Sequence, residues 1–477
     1  MKKIGLLIVV FAVQASIGAM PRPAVQARGP RSSERPNILF ILADDLGSES
    51  SAMYPDLYNP AAPNGHGQVP IPTLTALANR GVVFDNVWAN PVCSPTRAAL
   101  LSGLYGHNTS VTTVGNILPG ATTSIFELLS ASPTTPRYKM AVFGKWHLSG
   151  PNGATNMTHV TKDTGVPLYK GFLGSHIANY YDWTLDSSTE PSKNTKVYST
   201  TLLTDFAIDF IKNQKSGEPW FLYLPYNAPH GTAPNDGFQV PPKNLFSTDV
   251  GGRPSDGKIY NADVPVYQAI TQALDTEIGR LFKAMQQAGQ FDDTVIIFMG
   301  DNGTPAPAKD SAARIRGSKG SVYEGGVRVP LIVSGLGVTR RGREPQLITD
   351  TDMYATIAQL AGVPIPLNFG SNSFSFAPLL TSDNATTAIT GRRYSFTEIC
   401  ANNGTGTKQF AIRSQRYKLL YNGRAWEMFD LQSDPWETTN IFERAESSVA
   451  RASLLEELRT LKMKAKTGGC FVEIPAK

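Results

Sequence analysis

The sequence is poor in cysteine: only Cys93, Cys400 and Cys470 occur in 477 residues. Three cysteines cannot form the disulfide framework that holds small secreted domains together, so the fold must depend on a hydrophobic core. If chemistry consumes Cys93, the one pair that remains is Cys400 with Cys470. From the sequence, a disulfide between them and two unpaired thiols are both open.

Long apolar runs and a strong excess of one charge are also missing. The run from Ile4 to Val13 is shorter than the roughly 20 residues of a membrane-spanning helix, and no later run approaches that length. Lysine and arginine number 44 against 39 aspartates and glutamates. This excess is too small and too dispersed for a nucleic-acid-binding surface. We therefore expect no membrane span and no nucleic-acid partner.

The first residues have the features of a secretory signal peptide. Lys2 and Lys3 precede the apolar run, and small residues up to Ala19 follow it. We expect residues 1–19 to be removed and residues 20–36 to be a linker. No cysteine follows the leader to accept a lipid, so the expected location is periplasmic or secreted.

Apolar runs of strand length alternate with helix-like patterns along most of the chain. This alternation predicts an α/β domain with a mainly parallel sheet. The strand candidates are 37–43, 82–87, 140–143, 220–224, 295–299 and 331–333, and the helix candidates are 74–80, 202–212, 268–288 and 352–360.

The pattern changes after residue 380. Four short β-leaning segments, 394–399, 410–413, 417–421 and 427–430, precede a helix-like segment, 454–464. They predict a smaller antiparallel α+β domain over residues 381–477, behind a catalytic domain over residues 37–380.

Polar motifs follow the strand candidates directly or at short range. They are Asp44-Asp45, Gly144-Lys145-Trp146-His147, Ala228-Pro229-His230 and Gly300-Asp301-Asn302-Gly303. Ligands of open α/β sheets bind at the carboxyl ends of the strands, so we expect these four segments to converge in one cleft.

A further motif, Cys93-Ser94-Pro95-Thr96-Arg97, has the features of a helix start. Proline suits the first helical turn, and Gly103 suits the helix end. Cys93 would then lie at a helix N-terminus, where free N–H groups and a partial positive charge favour an anion. Taken alone, the pentapeptide is more typical of a buried cysteine that caps a helix.

The Cys-x-Pro-x-Arg motif resembles that of the formylglycine-dependent sulfatases, in which a formylglycine-generating enzyme oxidises the cysteine to an aldehyde. The resemblance continues in family order from Asn37 to about Pro330, and the tail around Met428-Phe429-Asp430-Leu431 is also similar. It rests on Asp44-Asp45, Gly144-Lys145-Trp146-His147, Pro229-His230, Gly300-Asp301-Asn302-Gly303 and the segment from Gly317-Ser318-Lys319 to Glu324-Gly325-Gly326-Val327-Arg328-Val329-Pro330. It implies the alkaline phosphatase-like fold, a three-layer α/β domain with a mainly parallel or mixed central sheet.

The resemblance also implies a divalent metal held by Asp44, Asp45, Asp301 and Asn302 together with the modified residue at Cys93. Four oxygen donors without histidine suit a hard cation, Ca²⁺ or else Mg²⁺. Each motif taken alone is also typical of an ordinary turn.

The implied mechanism begins from the hydrated aldehyde at residue 93, a geminal diol that attacks sulfur. Arg97 would stabilise the diol, and Lys145 and Lys319 would neutralise the sulfate oxygens. His230, with Lys319, would protonate the leaving alcohol. His147 would then take a proton from the second hydroxyl and release sulfate.

The sequence leaves the substrate open between a sulfated carbohydrate and an aryl sulfate. Alternatives are a phosphodiesterase or phosphonate monoester hydrolase of the same superfamily, and a non-catalytic binder of sulfated glycans if Cys93 stays unconverted. Phosphoryl-transfer relatives typically have a histidine where this chain has Asn302, which favours sulfate.

The other histidines lie in loop-like surroundings and are expected to be solvated or structural. They are His66, His107, His159 and His176. His107, which closely follows the Cys93 helix, is in addition a candidate for lining the cleft.

Overall fold

The structure is a computed structural model that describes residues 35–477 except 152–155, 216, 233–235, 382–390, 401–406, 467–468 and 476–477. The predicted signal peptide, most of the predicted linker and the start of the predicted C-terminal domain lie outside the described residues. The domain boundaries at 36/37 and 380/381 therefore stay predictions.

Most strands are near the predicted positions. In the described residues they are β1 (Asn37–Asp44), β2 (Val82–Trp88), β3 (Lys139–Lys145), β4 (Tyr169–Phe172), β5 (Trp183–Ser187), β6 (Lys193–Thr195), β7 (Trp220–Pro229), β8 (Phe238–Gln239), β9 (Ile259–Tyr260), β10 (Thr294–Gly300), β11 (Leu331–Gly335), β12 (Gly342–Thr349), β13 (Ser395–Ile399), β14 (Gln409–Arg413), β15 (Tyr417–Tyr421) and β16 (Trp426–Asp430).

The helices follow the predicted pattern, with short additions between them. They are α1 (Pro72–Ala78), α2 (Cys93–Ser102), α3 (Gly106–Thr109), α4 (Ile125–Ala131), α5 (Ser199–Lys212), α6 (Val264–Gln287), α7 (Glu324–Val327), α8 (Asp352–Leu360) and α9 (Ser448–Lys464). None of the helices in the described part of the chain is long and apolar enough to cross a membrane.

The central sheet has ten strands in the order β12-β2-β11-β10-β1-β7-β3-β4-β5-β6. The five contiguous strands from β10 to β4 run parallel to one another. β11 and β5 run antiparallel to their neighbours on the two sides of this group. The sheet is therefore mixed, with a parallel centre whose carboxyl ends share one edge.

Strand β1 separates two hydrophobic cores, because successive side chains of a strand point to opposite faces. Leu39 and Ile41 contribute to one core, which helices α1, α5 and α6 cover. Phe40 and Leu42 contribute to the other, which helices α2, α4 and α8 cover. This arrangement confirms the predicted three-layer α/β architecture.

A second, four-stranded antiparallel sheet, β13-β14-β15-β16, follows near the C-terminus. Leu454, Leu455 and Leu458 of α9 are buried in one core with residues of this sheet, including Phe410. The smaller antiparallel sheet with its helix is thus confirmed.

Cys400 and Cys470 form a disulfide, which settles the alternative that the sequence left open. The bond joins the residue directly after β13 to the segment that follows α9. Cys93 remains a free, buried cysteine.

Candidate active site

The functional side chains come together where the parallel strands end. Asp44 is the last residue of β1 and Lys145 the last residue of β3. His230 directly follows β7, and Asp301 directly follows β10. These strands are neighbours in the sheet, so the predicted convergence of four separate segments is found in the structure.

Cys93 is the first residue of helix α2, which ends at Gly103 in the left-handed conformation with φ 68°. Its Sγ lies 3.4 Å from Asp44 Oδ1 and 3.4 Å from Lys145 Nζ. Burial raises the pKa of the Cys93 thiol, and the negative charge of Asp44 raises it further. The side chain at this position is therefore held between a carboxylate and an ammonium group, out of bulk water.

Arg97 lies one turn further along α2 and is fully buried. Its Nη1 donates a hydrogen bond to the Lys145 carbonyl at 2.8 Å, and its Nη2 donates to Asp301 Oδ2 at 2.8 Å. The same Nη2 is 3.6 Å from Asp44 Oδ2. Arg97 thus links the ends of three strands beneath the helix that carries Cys93.

The two adjacent aspartates each pair with a lysine. Lys145 Nζ donates to Asp44 Oδ2 at 2.5 Å, and Lys319 Nζ donates to Asp45 Oδ2 at 2.9 Å. Burial alone would raise the pKa of Asp45, but the charges of His230, Lys319 and Lys145 outweigh it and hold that pKa well below its ordinary value. Asp45 is therefore a carboxylate at neutral pH.

Asp301 and Asn302 lie beside this pair. The Asp45 amide donates to Asp301 Oδ1 at 3.0 Å, and Asn302 Nδ2 donates to Asp45 Oδ1 at 2.8 Å. Burial raises the pKa of Asp301 to about 6, and the neighbouring charge of Asp44 adds to the shift. The four predicted oxygen donors thus form one buried group.

The site fits a hard cation. Asn302 Oδ1 is buried and has no hydrogen-bond partner among the described residues, which leaves an oxygen available as a ligand. Carboxylate and amide oxygens are the donors that Ca²⁺ and Mg²⁺ take. Ligand atoms of Asp44, Asp45, Cys93 and His230 also lie within 4.8 Å of one another. The structure therefore places His230 beside the predicted metal ligands, a set that contains no histidine.

His230 shares a hydrogen bond with a lysine. Its Nδ1 lies 2.7 Å from the Gly231 carbonyl, which can only accept, so Nδ1 carries the proton. Nε2 then accepts from Lys319 Nζ at 2.9 Å. Burial lowers the pKa of His230 to about 3, although the charge of Asp45 opposes this. Burial alone would lower the pKa of Lys319, but Asp45 outweighs it and raises that pKa, so the shared proton belongs to Lys319.

His147 is buried at the same edge of the sheet, with φ 57°. Ser94 Oγ donates to its carbonyl at 2.9 Å, which ties it to the residue after Cys93. Neither ring nitrogen of His147 has a hydrogen-bond partner among the described residues. Burial, and then the charges of Lys145 and Arg97, lower its pKa well below the ordinary value. A neutral imidazole here can accept a proton from a group bound in the site.

Two glycines shape the segment that carries Lys319. A Cβ on Gly325 would lie 2.4 Å from the Gly317 carbonyl oxygen, and one on Gly326 would lie 2.0 Å from that of Ser321. No side chain fits at either position. The Gly325-Gly326 pair therefore folds the segment tightly against itself, and Lys319 N donates to the Thr304 carbonyl close to Asn302.

Of the remaining histidines, His66 is exposed, as expected for a solvated side chain. His107 and His159 are buried and structural: His107 bonds Glu398 within the C-terminal core, and His159 bonds the Leu118 carbonyl. The prediction that His107 could line the cleft is therefore wrong, because its ring packs against Phe396 and Phe471.

His176, which the sequence predicts to be solvated or structural, lies beside a residue of the site. Its ring lies parallel to that of His230, with 5.8 Å between the ring centroids and an interplanar angle of 13°. It follows β4, a strand that no long apolar run marks. Only the pairing of β4 with β3, which sequence spacing does not show, brings it to this edge.

Comparison with known proteins agrees with this geometry. The family model described as Sulfatase matches residues 36–363, and the model described as N-sulphoglucosamine sulphohydrolase, C-terminal, matches residues 318–464. The N-acetylglucosamine-6-O-sulfatase of Bacteroides thetaiotaomicron is 25% identical over 89% of this chain and 86% of its own length. The human N-acetylgalactosamine-6-sulfatase is 26% identical over 72% of this chain and 66% of its own length.

Solved structures show the same fold. The crystal structure of Ps i-CgsB in complex with k-i-k-neocarrahexaose is similar with a TM-score of 0.74 and 24% identity, over 92% of this chain and 95% of that one. A protein in complex with its substrate D-glucosamine-2-N,6-O-disulfate is similar with a TM-score of 0.67 and 20% identity, over 91% and 98%.

The mixed ten-stranded sheet with its two helical layers has the alkaline phosphatase-like fold. Since the Sulfatase model matches well over half of the chain, the chain belongs to the sulfatase family and is a sulfatase. Both the predicted family and the predicted enzyme class are confirmed. The interpretation as a non-catalytic binder is set aside.

Proposed function

We propose that this sulfatase hydrolyses the sulfate ester of a carbohydrate, with formylglycine made from Cys93 as its nucleophilic residue. The observation that carries the proposal is the position of Cys93, buried at the start of α2 between Asp44 and Lys145. When hydrated, formylglycine supplies an oxygen nucleophile at this position. The relatives named for carbohydrate sulfates support the substrate class.

Asp44, Asp45, Asp301 and Asn302 would hold one divalent cation beside residue 93, Ca²⁺ or else Mg²⁺. Such an ion supplies positive charge next to the nucleophile and the sulfate oxygens. The buried, unpartnered Asn302 Oδ1 supports this assignment.

Positive side chains would bind the sulfate group. Lys145 donates a hydrogen bond to Asp44, and Lys319 donates one to Asp45. Their charges would stabilise the negative charge that develops on the sulfate oxygens as the S–O bond breaks. Arg97 would hold the nucleophilic residue in place through its bonds to the Lys145 carbonyl and Asp301.

Two proton transfers complete the reaction. The leaving alcohol oxygen would take its proton from the Lys319–His230 pair, in which the proton lies on Lys319 and is shared with His230 Nε2. His147, neutral and without a protein partner, would accept a proton as sulfate leaves residue 93. Overall, the ester and one water become an alcohol and hydrogen sulfate.

The proposal implies a maturation step and a location. A formylglycine-generating enzyme would act on Cys93 before folding closes the site, because Cys93 is buried in the folded chain. The signal-peptide pattern of residues 1–19 favours a secreted or periplasmic enzyme.

A peptide mass measurement with a paired activity assay tests the proposal. We expect the peptide that contains Cys93 to carry an aldehyde in place of the thiol in active protein. Cys93→Ala should keep the fold and lose sulfate release by at least about a thousandfold, as expected for a nucleophile. Full activity in a protein whose Cys93 is unmodified would contradict the proposal. Release of phosphate but not sulfate would favour the phosphodiester or phosphonate alternative.

A further inference from the structure

The order of strands in the sheet brings His176 to the edge of the active site. β4 runs parallel to β3, and Phe172 at its end pairs with Lys145. The residues that follow β4 therefore leave the sheet at the same edge as Lys145 and His147. His176 is half-buried there, and its ring lies parallel to His230 with the centroids 5.8 Å apart.

The segment around His176 is held on both sides. The His147 amide donates to the Leu173 carbonyl at 3.2 Å, and the Leu173 amide donates to Asp186 Oδ2 at 3.2 Å. Ile177 is buried in the main core. The chain is thus fixed on both sides of His176, and the His176 ring lies against the side chain of His230.

One ring nitrogen of His176 already has a partner. Ser175 Oγ lies 2.8 Å from its Nδ1, so a hydrogen bond to a bound molecule would be made through Nε2. Burial lowers the pKa of His176, and the charges of Lys145 and Lys319 lower it further, although Asp236 and Asp45 oppose them. A neutral imidazole suits a hydroxyl group better than a sulfate.

We propose that His176 recognises the leaving group: its Nε2 hydrogen-bonds a hydroxyl on the sugar carbon next to the carbon that bears the sulfate ester. The inference rests on the proposed function, because it takes His230 and Lys319 as the groups at the ester oxygen. Because the His176 ring lies parallel to that of His230 at 5.8 Å, a sugar whose ester oxygen lies at His230 would present its adjacent hydroxyl to His176. His176 is thus a specificity residue and takes no part in proton transfer.

The experiment compares His176→Ala with wild type on three kinds of substrate. They are monosaccharide sulfates whose ester lies on a ring carbon next to a hydroxyl, such as galactose 3-sulfate and galactose 4-sulfate, their deoxy analogues without that neighbouring hydroxyl, and 4-nitrophenyl sulfate. We expect His176→Ala to lower kcat/KM roughly tenfold on the sugar sulfate, mainly through KM, which is the effect of one lost hydrogen bond. On the deoxy analogue and on the aryl sulfate, the variant and wild type should be alike.

His66→Ala is the matched control, because it also removes an imidazole, and the His66 side chain is 44% exposed. An equal loss on all three substrates would overturn the inference and make His176 a support of His230. If wild type hydrolysed only the aryl sulfate, the inference and the proposal of a carbohydrate substrate would both be wrong. The proposal of sulfate-ester hydrolysis would still stand. Absence of sulfate from every substrate would overturn the proposed function itself.

Discussion

Glu49 is an acidic side chain that is almost fully buried. It is 2% exposed, and neither carboxylate oxygen has a hydrogen-bond partner among the described residues. Burial raises its pKa above the ordinary value near 4.5, against the opposing charge of Lys309. The folded state therefore holds a proton that the unfolded chain gives up, so the stabilisation is complete below pH 4.5 and is lost as pH rises through the folded-state pKa.

We expect Glu49→Gln to be more stable than wild type by a margin that grows with pH. Within that window the margin should rise by up to about 1.4 kcal/mol per pH unit, because the amide never has to lose a proton. Urea unfolding from pH 4 to pH 8 measures it. The exposed Glu443→Gln is the control and should stay within about 0.5 kcal/mol of wild type. A margin for Glu49→Gln that does not change with pH would show that Glu49 is ionised in the folded protein.

Four of the residues that the sequence predicts for the site lie at or directly after strand ends, Cys93 and Arg97 lie on α2, and no sequence signal places His176 beside them. Asp44, Lys145, His230 and Asp301 follow apolar strands, and the topology rule for parallel sheets brings such residues together. The strand before His176, β4, has only four residues, and two of them are Lys170 and Gly171. No apolar pattern in the sequence therefore marks this strand. The roles of the individual residues stay predictions.

Strand β15 carries a buried lysine that links the small sheet to the active-site domain. Lys418 Nζ lies 3.1 Å from Glu324 Oε1 and 2.7 Å from Glu437 Oε1, and 4.8 Å from the centre of the Trp88 ring. All four of these side chains are buried. Removal of the lysine takes away the ion pair of Glu437 and leaves Glu324 with Arg413 at 3.5 Å. Loss of one partner from a buried ion pair typically costs about 3–5 kcal/mol.

We therefore expect Lys418→Met to lower the free energy of unfolding by about 3–5 kcal/mol in urea titrations. Lys408→Met, at an exposed position just before β14, is the matched control and should change it by no more than about 0.5 kcal/mol. Similar stability of the two variants would contradict a structural role for the Lys418 pairs.

The disulfide ties the end of β13 to the segment after α9, across 70 residues of sequence. By restricting the unfolded chain, such a bond typically contributes about 2–5 kcal/mol. We expect the Cys400→Ala/Cys470→Ala variant to lose stability by that amount, and reductant to destabilise wild type but not the variant. Equal effects of reductant on both proteins would show that the bond does not form in solution.

Apolar periodicity predicted the elements that build the core and failed at the edges of the sheet. β1, β7 and β10 are buried on both faces and appear as continuous apolar runs. β12 was missed because its first half is polar and contains Pro345, which an edge strand tolerates. β6, at the other edge, is Lys-Asn-Thr and has no strand signal.

Metal binding should stabilise the folded protein as a whole, because the four oxygen donors come together only in the native state. We expect Ca²⁺ at 100 times its Kd to stabilise the apoprotein by about 2.7 kcal/mol, seen as a higher Tm in calorimetry. The isosteric Asp45→Asn variant, which removes a ligand charge, should show a much smaller shift. A Tm that Ca²⁺ and Mg²⁺ both leave unchanged in wild type would contradict the metal assignment.

Sulfate release, measured by ion chromatography, is the most direct measurement for the whole protein. Wild type with the aldehyde at residue 93 should be incubated with sugar sulfates, aryl sulfates and phosphate esters, beside Cys93→Ala. We predict sulfate from sugar sulfates, which disappears in the Cys93→Ala variant. No sulfate from any substrate, in protein whose aldehyde is shown by mass to be in place, would contradict sulfate-ester hydrolysis by this site.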